Sequence, residues 1–65
     1  MSGIELMILI HAGSAALLKG DAAEYKRIYA LVRRSLPVFP PREYIEFAYW
    51  AESFLGIPEG EGGFL

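Results

Sequence analysis

The opening stretch of the chain carries a hydrophobic pattern unlike the rest. Between Glu5 and Lys19 there is no formal charge apart from a protonatable His11. At helical spacing Leu6, Ile10, Gly13 and Leu17 form one apolar stripe. Ile4, Ile8, His11, Ala15 and Leu18 form a second, roughly on the opposite side. A helix with two opposed stripes needs two packing partners, and one three-helix core supplies only one. The first stripe is therefore assigned to the core, with Gly13 admitting a bulky side chain from the third helix. The second is assigned to self-association. The run Ala12–Ala16, all small residues, permits close approach of another helix.

The helix boundaries follow from local signals. Ser2 and Glu5 have the spacing of a capping box, with Met1 and Leu6 placed as a hydrophobic staple. Lys19-Gly20 reads as a C-terminal end: a cation in the last turn, then a glycine for the left-handed position. Asp21 offers a new N-cap with Glu24 three residues on. The pattern predicts helices over about 3–19, 21–35 and 41–55, the first two joined as an αα-hairpin. Pro37 is expected to stop the second helix. Leu36–Pro40 is expected to be an extended linker laid over the core. Pro41 suits the first turn of the third helix, and Gly56 with Pro58 closes it. Residues 1–56 then make one all-α three-helix domain, associating into a homo-oligomeric bundle. Residues 57–65 are expected to be a flexible, acidic, glycine-rich tail with an apolar end, although Ile57 can fold back on the last turn.

The second helix is a simple amphipath. Tyr25, Ile28, Tyr29, Val32 and Leu36 face the core, while Lys26, Arg27, Arg33 and Arg34 make two basic rows on the other side. On the third helix Tyr44, Phe47, Ala48, Ala51, Phe54 and Leu55 form the main face. Ile45 and Tyr49 fall to one flank and Trp50 to the other, beyond what one core needs. With Phe64 and Leu65 of the tail they are candidates for binding a protein partner, since aromatic anchors are typical of such contacts.

Composition sharpens this picture. The chain has 65 residues, 54% of them hydrophobic and 22% charged. A body this small buries only ~60% of its unfolded surface, so it leaves apolar side chains without an interior to enter. Small domains usually add disulfides, a metal or oligomerisation. With no cysteine and one histidine, disulfides and the common zinc sites are excluded, and oligomerisation remains. All six basic residues lie between Lys19 and Arg42, and five of the eight acids follow them. A basic middle and an acidic end suit pairing between subunits.

Candidate chemistry is sparse. His11 stands without a Ser, Cys or carboxylate at motif spacing. It is read as a hydrogen-bonded residue of its stripe. No nucleophile–base pair or carboxylate dyad is identifiable, so no enzymatic activity, cofactor or metal is expected. The net charge of −2 does not point to nucleic acid. Glu43, Glu46 and Glu52 would repel DNA if the third helix were a recognition helix. Ile4–Leu18 spans about 22 Å as helix, short of a ~30 Å hydrocarbon core. With no basic leader ahead of the apolar run, a cytoplasmic protein is expected.

Ile4-Glu5-Leu6-Met7-Ile8, followed by Ile10, resembles the start of mature type IV pilins. The resemblance implies an apolar first helix and a filament in which the glutamate, Glu5 here, pairs with a neighbour's N-terminal amine. The principal expectation is a small non-enzymatic interaction or assembly protein, either a regulator of a larger partner or a structural subunit. One alternative is a nucleic-acid-associated protein using the basic face of the second helix. Another is a filament or membrane-interface subunit with a pilin-like first helix.

Overall fold

In a computed structural model residues 1–58 are described. They form α1 (Gly3–Lys19), α2 (Ala22–Ser35), a 3₁₀ turn (Leu36–Val38) and α3 (Pro41–Leu55), with no strand among the described residues. Phe64 and Leu65, and the tail from residue 59 onward, lie outside them.

Each helix end has a local cause. At the start of α1, Ser2 Oγ accepts from the Glu5 N–H at 3.2 Å and Glu5 Oε1 accepts from the Ser2 N–H at 2.8 Å. This satisfies two of the donors a helix start leaves orphaned. Met1, expected to staple onto Leu6, is more than half exposed. Gly20 takes the left-handed conformation at φ 79°. There its N–H donates to Leu17 O at 3.1 Å and the Asp21 N–H to Ala16 O at 2.9 Å, a Schellman closure. Asp21 then caps α2, its Oδ1 accepting from the Glu24 N–H at 3.2 Å. Gly56 ends α3 in the same left-handed region, at φ 75°.

Leu36–Pro40 departs from the expected extended linker. Leu36 keeps helical angles (φ −54°, ψ −48°) although a proline follows it. Its side chain is buried, and the Phe39 N–H closes the turn on Leu36 O at 3.2 Å. Burial of Leu36 and that bond outweigh the pre-proline preference for extended backbone. The chain is extended only from Phe39. Val38 points outward rather than onto the core.

α1 is the element on which both other helices pack. A Cβ built on Gly13 would lie 2.6 Å from Leu55 Cδ2 and 2.9 Å from Ile28 Cγ2, so both neighbours close in at this glycine. Gly3 lies against Phe47, and His11 against Phe54. α1 and α3 therefore run the same way, with α2 returning between their ends. Leu6, Ile10, Ile28, Val32 and Leu55 are the largest fully buried side chains. Each contributes roughly 1.5–3 kcal/mol. Tyr44, Ala48, Ala51, Leu36 and Ile57 complete the core. Ile57 thus belongs to the folded body. Tyr25 on α2 donates its hydroxyl to Leu55 O, tying the start of α2 to the end of α3.

The expected core stripe of α1 needs one correction. Leu6, Ile10 and Gly13 are buried, but the fourth buried residue is Ala16, and Leu17 is 52% exposed. α3 draws level with Gly13 at Leu55 and ends there. Among the described helices α3 does not reach the last turn of α1, where the small Ala16 is covered and the larger Leu17 is not.

Candidate interaction surface

The outer face of α1 lies opposite the core and is apolar along its length. Ile4, Ile8 and Leu18 are 76%, 62% and 85% exposed. His11, Ala12 and Ala15 are exposed between them. The five residues assigned to self-association, Ile4, Ile8, His11, Ala15 and Leu18, therefore share one uncovered surface. Glu5 and Lys19, both exposed, stand at its two ends on the same edge. They are 14 residues apart, close to four turns at about 3.6 residues per turn.

This face continues onto α3 through a row of rings. His11 and Phe54 have centroids 5.4 Å apart. Phe54 stacks on Trp50 at 5.6 Å with planes 10° apart. Trp50 meets Tyr49 edge-on at 5.5 Å. The contacts bring Tyr49 and Trp50 together, although helical spacing alone assigns them to different flanks. Ile45 is exposed with Tyr49, one turn away on the same flank. Phe54, read from the sequence as core, is half-buried and links α1 to Trp50. Its spacing from Trp50, i to i+4, is the signal that places the two rings on one side. His11 is exposed and held by this ring contact rather than buried in the hydrogen bond expected of it.

The polar groups around the surface are committed locally. The Glu5 carboxyl lies below its ordinary 4.5, because the Ser2 backbone N–H and then the Ser2 side chain bond to it. Glu24 is lowered by its bond to Arg27, whose own pKa is raised by the same pair. Arg27 Nε and Nη2 each lie 2.8 Å from a Glu24 oxygen. Lys26, Arg27, Arg33 and Arg34 are all exposed along α2, as their spacing predicts. No group of three or more His, Cys, Asp or Glu side chains among the described residues could hold a metal ion. No helix among them is long and apolar enough to cross a membrane.

Fold and surface together define a small all-α protein of three helices, whose central helix is apolar on both sides. No protein family, curated protein sequence or solved structure matches the chain.

Proposed function

We propose that this protein is a small non-enzymatic interaction or assembly protein that associates with itself through the outer face of α1. The observation that carries this reading is the exposure of Ile4, Ile8 and Leu18 on the side of α1 turned away from its own core. Isolated exposed aliphatic residues are ordinary, but a contiguous apolar strip marks a contact surface. Two copies meeting on this strip cover six such side chains. Full burial contributes about 1.5–3 kcal/mol per side chain, roughly 9–18 kcal/mol for the six, of the order of the ~4–15 kcal/mol lost on association. The balance favours a concentration-dependent assembly. Tyr49, Trp50 and Ile45 are left at its border for a different protein partner, as a regulator or a complex subunit requires.

Two features favour this reading over its alternatives. Arg27 is already paired with Glu24 in its own helix, which removes one cation from a phosphate-binding row. α1 closes at the left-handed Gly20, well before the first helix of a pilin would end. The test is Ile8→Asp, followed by light scattering for mass and far-UV circular dichroism for helix. A carboxylate in a buried interface without a partner costs several kcal/mol. The expected result is a still-helical variant of the single-chain mass, 7.2 kDa, beside a heavier wild type. Equal masses would overturn the reading.

A further inference from the structure

We propose that α1 packs on α1 of a second copy in antiparallel register, about a two-fold axis between His11 and Ala12, with Glu5 of each copy facing Lys19 of the other. This rests on the self-association proposed above and adds its geometry. Glu5 and Lys19 are the only formally charged residues between Met1 and Lys19. They stand at opposite ends of the exposed face and on one edge of it. Glu5 accepts from the Ser2 N–H through Oε1, and antiparallel apposition brings the rest of its carboxylate against Lys19 of the other copy, twice. Parallel apposition puts the two copies of that edge on opposite sides of the seam, so neither charge meets its opposite, and also aligns the two helix dipoles. Of the acids near Lys19, Glu24 is held by Arg27 through both its oxygens and attracts Lys19 without a close ion pair, and Asp21 caps α2. That leaves Lys19 for a carboxylate of the second copy.

Side-chain size selects the same register. Reversing the helix about its midpoint sets Ile8 opposite Ala15 and Ile4 opposite Leu18. At the axis Ala12 meets Ala12 on one edge of the seam, and the two His11 side chains lie beside it. Large against small fills the seam at Ile8 and Ala15. A parallel pair sets Ile8 against Ile8 and Ala15 against Ala15, crowding one level and leaving a gap at the other.

The chain has no cysteine, so single cysteines report the register directly. A disulfide requires Cα atoms within about 7 Å. Ala12→Cys should link to itself on oxidation. Lys19→Cys should not, because the two copies of residue 19 lie about 22 Å apart along antiparallel axes. A mixture of Glu5→Cys and Lys19→Cys should give the mixed dimer and little of either self-linked species. Self-linking of Lys19→Cys as fast as Ala12→Cys would show a parallel pair and overturn the proposal. Linking at Ala12 without the mixed dimer would overturn the pairing of Glu5 with Lys19. Should no variant link while Ile8→Asp still lowers the mass of a dimeric wild type, the register is another one: this inference fails and association through α1 stands. A wild type of single-chain mass throughout removes both.

Discussion

α1 and α2 are sequence neighbours of similar length, separated by Gly20 and Asp21, and they treat solvent in opposite ways. α2 buries Ile28 and Val32 and turns Lys26, Arg27, Arg33 and Arg34 outward. Its outer face is accounted for by water. α1 buries Leu6, Ile10, Gly13 and Ala16 and turns Ile4, Ile8 and Leu18 outward. Both helices satisfy the same small core, so the core does not explain the difference. An amphipathic helix needs one covered side. A helix that is apolar on both sides, in a body too small to enclose it, is the ground for the proposed self-association.

The sharpest way to break the comparison is to charge α1 on its inner side. Ile10 is 0% exposed, and Ile10→Asp buries a carboxylate among aliphatic side chains. The cost of several kcal/mol rivals the whole stability of a chain this size, about 3–10 kcal/mol. Loss of helical circular dichroism at room temperature is expected. Leu17→Asp, at a position the stripe pattern alone would place in the core, should keep its helix content.

Gly20→Val attacks the joint between the two helices. No side chain surrounds Gly20, but its φ of 79° is strained for any β-branched residue. Destabilisation of about 1 kcal/mol or more is expected in urea melts. An unchanged midpoint would show that the helices can run on through the joint.

Tyr25→Phe removes the hydroxyl donated to Leu55 O and keeps the ring against Tyr29. The expected loss is about 0.5–1.5 kcal/mol, read from the urea midpoint. The smallest effect separates the two first-turn carboxylates. Glu5 of α1 is lowered chiefly by the Ser2 backbone, and Glu24 of α2 by Arg27. A lowered folded-state pKa contributes stability above the unfolded value of 4.5 that is lost as pH falls through the folded one. In an NMR titration both carboxyls should have midpoints below 4.5. Ser2→Ala, which removes the hydroxyl and keeps the N–H, should raise Glu5 alone and only part of the way, and Arg27→Ala should raise Glu24 alone. A joint response would contradict the separate causes.

The legible parts of this fold are those decided within a few residues. The Ser2/Glu5 box, the Asp21 cap and the left-handed Gly20 and Gly56 each depend on neighbours one turn away, and their residue types announce them. The parts that were not legible depend on where another helix ends. Ala16 replaces Leu17 in the core because α3 stops at Leu55. Leu36 stays helical before Pro37 because its side chain finds the core. The ring row follows the same division. The exposure of Ile4, Ile8 and Leu18 is read from spacing, but the link from His11 through Phe54 to Trp50 needs the lateral placement of α1 on α3, which no periodicity encodes.

The central claim is that the outer face of α1 is covered and that of α2 is not. Ala15 and Ala30 are exposed alanines on those two faces, and the chain has no native cysteine. The decisive measurement is the rate at which Ala15→Cys and Ala30→Cys react with a small thiol reagent, across protein concentrations. The account predicts that Ala15→Cys is protected at high concentration and becomes reactive on dilution, while Ala30→Cys reacts at one rate throughout. Equal rates for the two variants at every concentration would contradict it.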